Sequence, residues 1–187
     1  SKKSQLAVFD SLFVNKECYT LPGNPDEAAL HAFFDDLRQG YLQKDEGIDY
    51  SVIRKEYHTF THAMDVMITT HALLNSGGAV YLSQGETASL VLAALGHDVL
   101  HTGVNNSFLI QTNHPYYQEL GEHSLQETRS ANYVLTLLDK HHILTIEVGM
   151  SEDLRKEILE ARNLVEQSIL WTDIKRHKEQ IEAVASA

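Results

Sequence analysis

The sequence predicts an all-α fold, a compact multi-helix domain, on three observations. Apolar residues recur at helical spacing, as at Leu30, Phe33, Phe34, Leu37 and Tyr41. Helix-start signals recur at Asn24-Pro25-Asp26-Glu27, Ser83-Gln84-Gly85-Glu86 and Ser124-Leu125-Gln126-Glu127. Alternating β-branched runs are scarce: the best strand-like pieces, around Gly78–Tyr81 and Ile143–Val148, are short.

Residues 1–23 have no clear period, although Leu6, Val8, Phe9, Leu12, Phe13 and Val14 are apolar enough to pack. Asn24 then reads as a cap, with Pro25 in the first turn and acids set against the dipole. Acidic Lys44–Asp49, with its glycine, reads as a turn. A helix follows over about Thr59–Asn75, with Ala63, Val66, Met67, Thr70 and Leu74 inward and Gly77-Gly78 as its stop. Ser83–Glu86 is a capping-box pattern before Ala88–Leu100. That stretch is apolar nearly all round, so it belongs at the domain centre, and Gly103 is the expected stop.

Short helices are expected around Asn106–Gln111 and Pro115–Leu120. A second capping-box pattern at Ser124 opens a helix to about His142. Ser151 caps a last stretch from Glu152 to about Val184, broken near Trp171.

A chain of 187 residues suffices for one domain with a real core. The formal net charge of -11 argues against nucleic acid or an anionic membrane as the main partner. It also makes an anionic small substrate depend on local positive charge, such as metal ions. The single cysteine, Cys18, excludes an internal disulfide and fits a reducing, cytoplasmic compartment. It reads as a buried small hydrophobe or a bystander. No apolar run approaches the roughly 20 residues of a membrane span, and SKKSQLAVFD has no signal-peptide core. A start without Met and an end without a stop signal raise the expectation that this is a piece of a longer chain.

Chemistry concentrates in two stretches. His58 and His62 lie at i and i+4 at a helix start, where they share a face. His97-Asp98 ends an otherwise apolar segment, where isolated charges are costly unless paired or bound to metal. His101, at i+4 from His97, falls on the same side of the central helix. Mixed imidazole and carboxylate ligands suit zinc, iron, manganese or magnesium.

Together, HxxxH followed by HDxxH is the pattern of HD-type metal-dependent phosphohydrolases. YHTFTHAMDV resembles the YHNxxHAxDV block of class I 3′,5′-cyclic nucleotide phosphodiesterases, and ALGHDVLHTGVNNSFLI resembles their HDxxHxGxxNxF block. HSLQET and ILWTDIKRH resemble, less closely, their SxLExHH and ATDxxxH blocks. The resemblance runs over residues 57–177 of a single domain, 1–187. It implies His62, His97 and Asp98 as metal ligands, with Asp98 shared by two divalent ions, zinc with magnesium or manganese. His58 matches the general acid and Glu127 the acid that orients it. His101 matches a histidine that contacts water at the metals. Tyr57 and Asn106 match residues beside the substrate. The implied reaction is hydrolysis of cyclic AMP or cyclic GMP to the nucleoside 5′-monophosphate, in a chain whose longer form could carry regulatory domains.

Structural alternatives stand beside these roles. Glu127 is also the third residue of a capping-box pattern. His101 could cap the central helix. Tyr57 and Phe60 could be core aromatics, and Asn105-Asn106 after Gly103 is a turn signal. His71, His114, His123, His141 and His142 read as surface or helix-end residues. The chain also departs from the family: Arg129 and Ser130 stand where the paired histidines would be. The family's fourth metal ligand is an Asp on a helix well beyond the TDxxxH stretch. Asp173 lies within that stretch and is not that ligand, so a longer chain is expected to supply it. Other HD-type phosphohydrolases, and a catalytically incomplete HD-like sensing or interaction module, are the alternative functions.

Overall fold

The computed structural model describes residues 1–15, 18–45, 48–49, 51 and 56–186. Among them are nine α-helices and no strand: α1 Lys2–Phe9, α2 Glu27–Leu42, α3 Phe60–Asn75, α4 Gln84–Gly96, α5 Asn106–Gln111, α6 Pro115–Leu120, α7 Leu125–Lys140, α8 Glu152–Leu170 and α9 His177–Ala185. The strand-like stretch at Gly78–Tyr81 is a 3-10 turn, and Ile143–Val148 is a loop anchored by buried Ile143 and Leu144.

The N-terminal stretch, which has no clear period, is helical. α1 continues as a π-helical turn, Asp10–Val14. Phe9 and Phe13 pack ring to ring at 5.0 Å, and Phe9 meets Phe34 of α2 at 4.9 Å. The cap of α2 differs from expectation. Asp26, not Asn24, accepts from the Ala29 amide, and Asn24 sits at φ 50 in the approach. Pro25 therefore precedes the cap, and its fixed φ shapes the entry rather than the first turn. The turn expected over Lys44–Asp49 includes residues 46 and 47, which lie outside the described set.

α4 is the central helix, between α3 and α8, with α7 also packed on it. Its Ala88, Val91, Leu92 and Leu95 are fully buried. Each buried Val or Leu contributes about 1.5–3 kcal/mol by leaving water. The capping box at its start is complete: the Glu86 amide donates to Ser83 Oγ, and the Ser83 amide donates to the Glu86 carboxylate. Glycines set the close approaches around it. A Cβ on Gly96 would lie 2.5 Å from Val134 of α7, and one on Gly40 would lie 2.6 Å from Val99.

α4 ends at Gly96, seven residues before Gly103. His97 is its C-cap, and the chain turns at Leu100 with φ 61. His97, Asp98 and His101 thus stand at and past the end of the helix rather than along its face. The break near Trp171 is present: α8 stops at Leu170, a 3-10 turn covers Ile174–Arg176, and α9 follows. No helix among the described residues is long and apolar enough to cross a membrane.

Candidate metal centre

His97 is oriented by the end of its own helix. Its Nδ1 donates to the Ala94 carbonyl at 2.8 Å, so Nδ1 holds the proton and Nε2 turns toward Asp98. Nε2 lies 3.1 Å from Asp98 Oδ2, and His62 Nε2 lies 3.6 Å from the same oxygen. A neutral imidazole would present its lone pair to the carboxylate there. The pair needs a positive charge in between, either a proton on Nε2 or a metal ion. Burial opposes charging of His97, but the Asp98 hydrogen bond and charge, helped by the Ala94 carbonyl, outweigh it and raise its pKa. Burial likewise works against ionised Asp98, yet His97, and then His58 and His101, hold its pKa below the ordinary range.

Asp98 is fixed from behind by Tyr41 of α2. The Tyr41 hydroxyl donates to the Leu95 carbonyl at 2.8 Å and accepts from the Asp98 amide at 3.2 Å. Burial, then the Asp98 charge, pushes its pKa well up, so it stays a neutral donor. This role was not legible in sequence, where Tyr41 is one apolar position among five.

His62 lies in the first turn of α3, capped by Thr59. His58 precedes that cap, so the two histidines do not share a helical face as the i,i+4 spacing suggested. Instead His58 stacks on His101, centroids 3.6 Å apart and planes at 14°. Among the described residues, two groups of three side chains offer ligand atoms within 4.8 Å of one another: His62, His97 and Asp98; and His58, Asp98 and His101. Asp98 belongs to both. Two imidazoles and a carboxylate on one group fit a divalent transition ion.

The floor and far wall come from α5 and α7. Asn106, 8% exposed, donates from Nδ2 to Glu127 at 2.9 Å and accepts at Oδ1 from the Gln126 amide at 3.1 Å. It is thus more than a turn residue. Burial raises the Glu127 pKa. The Asn106 bond and a backbone amide oppose the rise, and the Asp173 and Asp98 charges add to it. The capping-box reading of Glu127 fails at its other partner. Ser124 has φ 45, caps nothing, and donates to Asp173 Oδ2 at 2.8 Å. Asp173 is 4% exposed.

The four histidines, Asp98, Asn106, Glu127 and Asp173 line a cleft of about 760 Å³. Asp98, Glu127 and Asp173 bring three carboxylates, against which Lys175 is the one lysine or arginine among its described lining residues. Such a cleft attracts divalent cations and needs them to admit a phosphate ester. Tyr57 is at its rim, 65% exposed, its ring 4.3 Å from that of His62; Phe60 is the core aromatic. Cys18 is exposed rather than buried, and His114 is a helix-end residue, the buried N-cap of α6.

The 3′5′-cyclic nucleotide phosphodiesterase family matches residues 57–187. Dual specificity calcium/calmodulin-dependent 3′,5′-cyclic nucleotide phosphodiesterase 1C of Mus musculus is 33% identical over 141 residues, which is 75% of this chain and 20% of that protein. The 1B form of Homo sapiens is 31% identical over 159 residues, 84% of this chain and 27% of that one. The chain therefore spans about a fifth to a quarter of the length of these curated relatives. Its fold matches the crystal structure of the phosphodiesterase domain of the RhoPDE fusion protein from Salpingoeca rosetta with a TM-score of 0.75 at 23% identity. That match covers 97% of this chain and 51% of that one. The chain belongs to the 3′5′-cyclic nucleotide phosphodiesterase family.

Proposed function

We propose that this member of the cyclic nucleotide phosphodiesterase family hydrolyses a 3′,5′-cyclic nucleotide, cyclic AMP or cyclic GMP, to the nucleoside 5′-monophosphate. The observation that carries the reading is the convergence of His62, His97 and Asp98 in one ligand group, with His58 and His101 brought beside the same Asp98 carboxylate. His62, His97 and Asp98 would hold one ion, zinc, and Asp98 would also serve a second, magnesium or manganese. Bound there, the ions supply Lewis-acid charge for the phosphoryl group and a nucleophile at neutral pH.

The chain's own residues do the rest. His58 stands at the cleft beside His101 and transfers its proton to the 3′ oxygen as the P–O3′ bond breaks. General acid catalysis of this kind is worth about 10²–10⁴-fold. Glu127, held by Asn106, orients the acid, and Tyr57 and Asn106 flank the substrate. His101 stacks behind His58 and fixes the plane of its ring. Residues 1–187 make one helical unit of a longer catalytic domain, with the chemistry in 57–177. It works in the cytoplasm, in a protein that can carry regulatory domains.

The test is turnover of cyclic AMP, cyclic GMP and a bis-phosphate ester by the full natural chain, with and without chelator. Chelator-sensitive release of the 5′-monophosphate is the expected result. Cleavage of only the bis-phosphate ester would mark a different HD-type phosphohydrolase. Metal binding without any cleavage would mark a sensing module. Either outcome would reject this reading.

A further inference from the structure

The two residues that depart from the family motif act on the same short turn. Ser130 Oγ donates to the Val99 carbonyl at 2.7 Å, and Arg129 Nη1 donates to the Leu100 carbonyl. These are the two residues directly after Asp98. Had α4 continued, the amides of Gly103 and Val104 would have served those carbonyls. They donate instead to His101 Nδ1 at 3.0 Å and Thr102 Oγ1 at 3.4 Å. Leu100 sits at φ 61, a region that L side chains with a Cβ avoid. The turn that aims Asp98 is therefore a strained one, and α7 side chains take over its backbone bonding.

Arg129 is itself held rigidly. Its Nη2 pairs with the Asp45 carboxylate and donates to the Tyr116 hydroxyl at 2.8 Å. Tyr116 donates to Asp45 in turn, and its ring lies 3.9 Å below the guanidinium carbon. The side chains of Arg129 and Asp45 are 13% and 5% exposed, so charge is neutralised inside the protein. An imidazole has at most two N–H groups and cannot donate to these three acceptors at once; a guanidinium, with five N–H groups, can.

We infer that Arg129, with Ser130, is a positioning residue for the metal site: it holds the turn at Val99–Leu100 and thereby the ligating direction of Asp98. The inference rests on the metal-site reading above.

The test is Mn²⁺ titration of the 187-residue chain, followed by loss of the free-ion electron paramagnetic resonance signal. Arg129→Ala, Arg129→Lys and Ser130→Ala are compared with wild type, with melting curves to select temperatures at which each is folded. Arg129→Ala should bind Mn²⁺ about 10-fold more weakly, the scale seen for residues that orient metal ligands. Arg129→Lys should lie between it and wild type, and added ethylguanidinium should restore affinity to Arg129→Ala. A purely structural role would lower the melting temperature and leave the affinity of the folded protein at the wild-type value, which would overturn the inference. Should Arg129→Ala not fold, wild-type affinity in both folded Arg129→Lys and folded Ser130→Ala overturns it equally. Wild type that binds no Mn²⁺ would instead refute the metal-site reading beneath it.

Discussion

Replacing Tyr41 with Phe removes one oxygen from the core and two hydrogen bonds from the turn that bears the metal ligands. The Leu95 carbonyl loses its donor at 2.8 Å, and the Asp98 amide loses its acceptor at 3.2 Å. Tyr41 is 3% exposed, so water does not readily replace the hydroxyl. The ring stays, including its edge contact with Phe60 at 5.5 Å, so packing is preserved. Each buried backbone group left unpaired costs about 1–3 kcal/mol. The Asp98 amide is the weaker of the two bonds, so a total of about 2–3 kcal/mol is expected. For a domain of this size that is a fall of roughly 4–12 °C in Tm. Urea unfolding followed by circular dichroism measures the free energy, and the slope should stay at the wild-type value. Metal affinity should fall with it, by about 10-fold, because the Asp98 backbone loses an outer support. A loss under about 0.5 kcal/mol, within the range of ordinary surface changes, would refute the idea that Tyr41 anchors the turn.

Other perturbations separate the roles of neighbouring residues. Metal competes with the proton on His97 Nε2, whose pKa is raised. Affinity measured by calorimetry should therefore already be falling near neutral pH, and a flat profile from pH 8 to 6 would exclude His97 as a ligand. Without metal the sign reverses for stability. The raised His97 pKa stabilises the fold below its unfolded pKa, and that contribution is lost as pH rises through the folded value. Chemical unfolding of the metal-free chain at pH 6 and 8 measures this loss. His58→Asn in the full natural chain should lose about 10²–10⁴-fold in kcat while retaining metal; retained kcat refutes the general-acid role. Gly96→Ala would place a Cβ 2.5 Å from Val134 and should cost about 1–3 kcal/mol by overpacking. Its thermal midpoint tests whether α4 and α7 are in closest contact there.

Much of the helical order was legible because it rests on local chemistry. Ser83 and Glu86 spell a capping box that forms, and the apolar circumference of α4 placed it at the centre. The end of α4 was not legible. The apolar run through Val99 and Leu100 looks helical, and nothing local announces a left-handed leucine. Side chains of α7 hold that turn from 29 and 31 residues away. His58 and His101 meet by the same long-range folding, not by helical spacing. The residues singled out by type, His62, His97 and Asp98, do converge in the structure. Tyr41, Gln126 and Ser124 support the site through bonds that no spacing in the sequence encodes. Ser124 shows the limit most plainly: its capping pattern is well spelled, yet buried Asp173 takes its hydroxyl.

The central claim is that Asp98 and its histidines bind divalent metal. Elemental analysis of the purified chain after zinc loading and desalting tests it directly, with Asp98→Ala and His97→Ala alongside. The account predicts zinc bound to wild type, lost from Asp98→Ala and sharply reduced in His97→Ala, with all three folded by circular dichroism. Zinc retained equally by all three, or by none, would contradict it.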